Sequence, residues 1–344
     1  MTTTTTAMTA TDIGPEPPLT VAPQGVGGFN ESWYPVCTSE ELGLGGVRSV
    51  VFLHGRVVAW RDDDGEAHVN SPFCPHLGAD LQLGTVIGQN LRCAFHHWQF
   101  AGDGRCVEHP KGDAVPERAR IFAFPTQERF GIVWAFNGTT PTFDLPDFSV
   151  ADDELAYRVD ADPYEFPVDP YIIFSNSMDF GHLEAVHGLT LVSDPDDVDI
   201  DQLKIDYRQD LRHALFGEMR QHVRIYGSNV FSLDGYMGPV QAIAIASARP
   251  TTPGHCVNYS VTLTKRDGTD AEIEARLEMM ESFVNELVKD DKPILSTMRV
   301  GPAALTRSDF GLKKYFAYAR DFPRNDEAVP FITVGPSGSA PANG

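Results

Sequence analysis

The sequence predicts an α+β protein of two units, a small N-terminal all-β unit followed by a larger one in which an antiparallel sheet is backed by helices. Three observations carry this. Between residues 33 and 136 short β-prone runs are broken by Gly and Asp turns, four longer alternating segments lie between 203 and 264, and residues 270–289 repeat apolar side chains at helical spacing. At 344 residues the chain has room for about two cores. Its 42% hydrophobic content is that of a globular protein.

Taken in order, residues 1–28 are rich in Thr, Pro and Gly and read as a disordered arm. They have neither the basic start nor the apolar centre of a secretory signal. Strands follow at 47–53, 57–60, 91–94, 121–124 and 131–136, with Asp64-Gly65 and Asp103-Gly104 as turns. A Pro- and Asp-containing connector over 137–153 separates the units, giving 29–150 and 151–334, and residues 335–344 read as a disordered tail. In the second unit a helix is expected over 170–187, with Gly188 to stop it. Strands are expected at 203–209, 219–226, 240–248 and 256–264. The helix over 270–289 places Ile273, Leu277, Met280, Val284, Leu287 and Val288 on a core-facing stripe and Glu272, Glu274, Arg276 and Glu278 toward water.

A net charge of −21 argues against nucleic acid as a partner, and no run of eighteen apolar residues suggests a membrane span. The acidic runs at 62–64 and 194–201 read as solvated loops. Five cysteines without an evident disulfide pattern point to a reducing compartment, the cytoplasm.

Two of the cysteines stand out. Cys74-x-His76 and Cys93-x-x-His96, separated by sixteen residues, offer two thiolates and two imidazoles in matched loop pairs. A structural zinc site normally spaces its ligands as Cys-x₂₋₄-Cys and His-x₃₋₅-His, which this pattern does not follow. It fits a Rieske [2Fe–2S] cluster, with two cysteines on one iron and two histidines on the other, so the chain handles single electrons. Cys37, Cys106 and Cys256 remain as ordinary reduced thiols.

An electron-delivering centre needs a consumer. The string Asn176 to His187 contains Asp179, His182 and His187, and two histidines plus one carboxylate with open positions make the facial triad of non-haem Fe(II) oxygenases. On an ideal helix residues five apart lie about 140° around the axis and about 7.5 Å along it. Both histidines reach one ion only if the helix is distorted or His187 sits at its fraying end, next to Gly188.

Cys-x-His-x₁₆-Cys-x-x-His followed by Asn-x-x-Asp-x₂-His-x₄-His resembles the oxygenase component, or α subunit, of Rieske non-haem iron oxygenases over about residues 30 to 322. The resemblance implies a Rieske β domain before a helix-backed antiparallel catalytic domain, with His182 and His187 on the mononuclear iron. It also implies that Asp179 bridges His182 to a Rieske histidine, His96, of a neighbouring subunit. Electrons would then cross an interface in a ring-shaped homo-oligomer, most simply a homotrimer. In short α-only members the third ligand lies in a Glu-Asp-Lys string opening a helix near the C-terminus; Asp290-Asp291-Lys292 is the counterpart, with Asp291 the expected ligand and Asp290, Glu286 and Asp309 as alternatives. Asn176 would sit beside the iron with a part in O₂ or proton handling. His97 stands where many relatives have Gly.

The implied activity is reductive O₂ activation on a hydrophobic aromatic or polycyclic substrate. Hydroxylation or oxidative demethylation is favoured over cis-dihydroxylation or desaturation, and an electron carrier or redox sensor is the rival of another class. The run from Cys74 to Leu81 also resembles sterol-modifying members. Phe216, Phe231, Tyr236 and Met237 are candidate pocket residues. No Gly-x-Gly-x-x-Gly joins a strand to a helix, so electrons would come from a ferredoxin, an NAD(P)H-dependent reductase, or both.

Overall fold

The computed structural model describes residues 20–160, 163–192, 197–298, 301 and 304–333. In the N-terminal part, strands β1 (Trp33–Thr38), β2 (Val47–Phe52), β3 (Gly55–Arg61), β4 (Ala67–Asn70), β5 (Thr85–Ile87), β6 (Asn90–Arg92), β7 (Gln99–Ala101), β8 (Cys106–Glu108), β9 (Ala123–Phe124), β10 (Thr126–Arg129) and β11 (Ile132–Phe136) form three antiparallel sheets. Their orders are β9-β4-β3-β2, β10-β11-β1 and β5-β6-β7-β8. Strand β3 explains how the sheets are joined. Its residues Val57 to Trp60 are all buried, because alternate side chains serve two cores. Val57 and Ala59 pack with Tyr34 and Phe52, while Val58 and Trp60 pack with Cys74, Leu91 and Cys93. The second core holds the two cysteine loops in place.

The larger part is built on a sheet of nine strands among the described residues: β12 (Leu155–Val159), β13 (Tyr164–Phe166), β14 (Thr190–Leu191), β15 (Val198–Ile200), β16 (Lys204–His213), β17 (Gly217–Tyr226), β18 (Val230–Met237), β19 (Val240–Thr252) and β20 (His255–Lys265). The path is β12-β20-β19-β18-β17-β16-β14, with β13 on β20 and β15 on β16. Period-two burial shapes β16, where Ile205, Tyr207, Gln209 and Leu211 turn inward and Arg208, Asp210 and Arg212 outward. Helices α1 (Pro170–Ser175), α2 (Phe180–Ala185), α3 (Asp270–Leu295) and α4 (Phe310–Asp321) accompany this sheet. A capping box of Thr269 and Glu272 starts α3, a device that contributes about 1 kcal/mol.

Several expectations change. Helix α3 runs on to Leu295, so the Asp290-Asp291-Lys292 string lies in its last turns and does not open a helix. Arg276 is not free in water but lies back on β20, bonding Thr264 Oγ1 and the carbonyls of Lys265 and Asp267. Helix α4 has no counterpart among the expected elements. The connector over 137–153 joins the two parts and does not hold them apart: Leu145 and Val150 are buried with Trp33 and Trp134 from one and Val230, Ile243 and Leu263 from the other. Buried Asn137 donates to the carbonyls of Phe29, Asn30 and Asn325.

Residues 1–19 of the expected arm and the tail 335–344 lie outside the described residues. Residues 20–28 are not a loose arm. Val21 and Gln24 are buried, Gln24 is hydrogen-bonded to Asn30, and the Arg324 guanidinium binds the carbonyls of Ala22, Pro23 and Val26. The C-terminal end likewise returns to the first part. Phe29–Asn30 pairs with Arg324–Asn325, and Ala328 and Ile332 are buried with Phe52 and Val57.

Candidate metal centres

The two cysteine loops have the same backbone plan. Cys74 N–H donates to Ala79 O and Gly78 N–H to Cys74 O; Cys93 N–H donates to Trp98 O and His97 N–H to Cys93 O. Each loop closes on a left-handed residue, Gly78 at φ +73° in the first and His97 at φ +61° in the second. The place where the sequence departs from the Gly of many relatives is therefore one where glycine would be unstrained. Cys74 and Cys93 are buried, whereas His76 is exposed and His96 half-buried, with their rings 4.6 Å apart. Trp98 stacks on His76 at 4.7 Å.

Burial pushes the Cys74 thiol up to about 12, with Cys93 among the neighbours that raise it further. A bound cation would offset this and hold the Cys74 sulfur as a thiolate, which fits an iron-bound cysteine. Burial also raises Cys37, Cys106 and Cys256, as expected of unreactive thiols.

The helix expected over 170–187 is broken where the second site needs it. α1 ends at Ser175, a single 3₁₀ turn spans Asn176–Met178, and Asp179 leaves the helical region at φ −96°, ψ 83°. Asp179 then caps α2, its Oδ1 accepting from His182 N–H at 3.0 Å. His182 lies in α2 and His187 just past its C-cap, Val186, where Gly188 at φ +65° reverses the chain and Leu189 N–H returns to Leu183 O. Of the two anticipated ways of bringing the histidines together, the second is found: His187 sits just past the end of α2, beside Gly188.

Three donor atoms converge there. His182 Nε2 and His187 Nε2 are 3.0 Å apart, and Asp291 Oδ1 is 3.0 Å from the first and 3.1 Å from the second. Neighbouring positions of an octahedral ion with bonds of about 2.1 Å lie about 3.0 Å apart, so the triangle matches one face of that geometry. Asp291 Oδ1 is buried without a hydrogen-bond partner, although two ring nitrogens are within reach. Atoms crowded in this way are what a shared cation would tie together. The other oxygen, Oδ2, accepts from Asn176 Nδ2 at 3.0 Å. Burial works to raise the Asp291 pKa, but the nearby rings of His182 and then His187, with the Asn176 amide, outweigh it and hold the carboxyl well below the usual carboxylate range.

The alternative carboxylates do not join this group. Asp290 is exposed, its Oδ2 3.8 Å from His187 Nδ1; Glu286 pairs with Lys289 at the surface; Asp309 caps a turn through Thr306. A second acidic group with a histidine, Asp62, Glu66 and His68, is satisfied internally: Asp62 Oδ1 accepts from Asp64 and Glu66 N–H and Oδ2 meets His68 Nε2.

His182, His187, Asp291 and Asn176 open onto a cavity of about 210 Å³ between the sheet and α3. Phe231, Tyr236 and Met237 line it as expected. Phe216 does not; it sits in the β16–β17 turn, stacked on His213 and against Phe283, which itself lines the cavity. The α3 stripe read as core is partly cavity wall, through Met280, Val284, Leu287 and Val288. Three polar lining residues, Gln209, Gln221 and Asn258, went unnoticed in the sequence, where the only signal was a polar residue at an inward-facing position of an alternating strand.

Residues 32–121 match the model of the Rieske [2Fe-2S] domain. Over 172 residues the chain is 34% identical to cholesterol 7-desaturase nvd of Bombyx mori, a match covering 48% of this chain and 37% of that protein. The chain thus matches well under half the length of that relative. Among solved structures, NdmA of Pseudomonas putida CBB5 with caffeine superposes with a TM-score of 0.65 at 22% identity, covering 84% of this chain and 89% of that one. Dicamba monooxygenase bound to dicamba gives 0.66 at 20% identity, covering 85% and 97%. Residues 32–121 are a Rieske [2Fe–2S] domain, and the chain as a whole has the fold of the Rieske oxygenase α subunits.

Proposed function

We propose that this chain is the terminal oxygenase of a multicomponent Rieske system, hydroxylating or oxidatively demethylating a hydrophobic substrate. The observation that carries this is the triangle of His182 Nε2, His187 Nε2 and Asp291 Oδ1, opening onto a largely apolar cavity in the same chain as a Rieske domain. Cys74, Cys93, His76 and His96 would hold the cluster, and His182, His187 and Asp291 the Fe(II). When bound, the iron supplies the site at which O₂ is reduced with electrons from the cluster.

The protein's own residues do the rest. Asn176 ties Asp291 Oδ2, so the carboxylate presents Oδ1 toward the two imidazoles and leaves the cavity side of the triangle free. The apolar walls from Phe231, Leu233, Leu287 and Val288 exclude water and seat the substrate against that free side. Cys74 and Cys93 are buried while the His76–His96 edge reaches the surface, so electrons enter and leave by the histidines. Asp179, at the start of α2, links His182 to a neighbouring subunit's cluster in a homotrimer, with a ferredoxin, a reductase, or both as donor and the cytoplasm as its place.

Iron analysis of the purified protein tests this: about three irons per chain are expected, whereas a plain carrier holds about two. The match to a cholesterol desaturase supports desaturation as a second reading. Product mass separates them, by gain of one oxygen on hydroxylation, net loss of CH2 with release of formaldehyde on demethylation, or loss of two hydrogens on desaturation.

A further inference from the structure

Strands β16 and β17 turn Ile205, Tyr207, Leu211, Met219, Val223 and Ile225 inward, and the inward rows are interrupted at one rung only. There Gln209 faces Gln221 directly across the sheet. Gln209 is 6% exposed and Gln221 9%, and both line the cavity. Gln209 Nε2 donates to Gln221 Oε1 at 2.8 Å, while Gln209 Oε1 has no partner. On β20 Asn258, 4% exposed, also lines the cavity, and its Oδ1 is equally without a partner. An unpaired buried amide destabilises a fold, and an apolar pair at this rung would serve the core better. The cavity has a further property. Among the described residues lining it there is neither Lys nor Arg.

We propose that the cavity selects a neutral, mainly apolar ring compound bearing one hydroxyl or lactam-type group, which hydrogen-bonds the free amide of the Gln209–Gln221 pair and Asn258. A carboxylate at the amide rung would be buried with no Lys or Arg side chain to pair it, and a plain hydrocarbon would leave the amides unpaired. Because each carboxamide can turn over, the pair presents either an oxygen or an amino group, which suits a substrate group able both to donate and to accept. Placement supports this as well. Tyr207 Oη donates to Ser177 O at 2.6 Å, next to Asn176, and Gln209 follows about 7 Å further along the same cavity-facing row, so the polar handle lies on the same wall as the elements that carry the metal group. At about 210 Å³ the space fits a small ring system better than a fused tetracycle.

The inference rests on the oxygenase reading only in taking this cavity as the substrate site, and it is tested by binding without turnover. Equilibrium dialysis of the anaerobic holoprotein would compare three bicyclic probes: 2-quinolinone, naphthalene and 2-naphthoate. 2-Quinolinone is expected to bind at least tenfold more tightly than either of the others. The double variant Gln209→Leu/Gln221→Leu, which leaves neither amide behind, should lose that preference, keep its naphthalene affinity and melt no lower than wild type. Tightest binding of 2-naphthoate, equal binding of 2-quinolinone and naphthalene, binding of none, or an unchanged preference in the double variant would each overturn the proposal. A protein that shows the preference yet oxidises nothing would count against the oxygenase reading alone.

Discussion

Asn176 donates from Nδ2 to Asp291 Oδ2 at 3.0 Å, so one carboxylate oxygen is tied down while the other faces His182 and His187. The bond joins the break between α1 and α2 to the last turns of α3, two elements far apart in the chain. Asn176 acts on the metal through its ligand, as a positioning residue. Asn176→Ala is expected to weaken mononuclear iron retention by about tenfold or more while the cluster spectrum stays unchanged. Iron titration with cluster absorbance as internal control checks this; unchanged iron affinity would leave the bond a local tie between helices.

Asp291 and Asp290 are neighbours with different surroundings. Asp291→Ala removes a buried atom of the converging triangle, so mononuclear iron and activity should fall at least about tenfold with the Rieske spectrum intact. Asp290→Ala removes an exposed acid 3.8 Å from His187 Nδ1 and should have a milder effect on both. The reverse order would assign the ligand to the wrong member of the pair.

What the sequence disclosed depended on how local each feature is. Cys74, His76, Cys93 and His96 lie in two short loops and are legible from spacing alone, whereas His182 and His187 lie in one string that carries weight only beside that upstream motif. Asp291 is joined to them only through the tertiary fold, and resemblance, not pattern, singled it out. The Gln209–Gln221 rung was illegible because a glutamine in a strand normally reads as a solvent position, and only the pairing of β16 with β17 places both inside. The packing of residues 20–28 and 137–153 was hidden for the opposite reason. Their Pro and Gly content signals irregular backbone, which says nothing about whether that backbone is buried.

His97 carries a backbone cost that can be removed. At φ +61° it occupies the position that Gly78 fills in the matching loop, and it is exposed. His97→Gly is expected to stabilise the second loop by about 0.5–1 kcal/mol, allowing for the greater freedom glycine gives the unfolded chain. Slower loss of cluster absorbance on heating would show it. Faster loss would mean that the imidazole itself protects the cluster.

Asp179 separates a structural duty from an electronic one. Its Oδ1 caps α2 through His182 N–H, and asparagine caps helices about as well as aspartate, so Asp179→Asn should preserve the fold, the start of α2 and iron binding. The substitution removes only the charge next to His182. If Asp179 carries electrons between a neighbour's cluster and this iron, the variant should keep a reducible cluster and its oligomeric state, yet reoxidise at least about tenfold more slowly when substrate and O₂ are added to pre-reduced protein. Single-turnover kinetics reads this step without the donor proteins. Reoxidation and product formation at the wild-type rate would falsify the bridge and leave Asp179 as the residue that starts a helix.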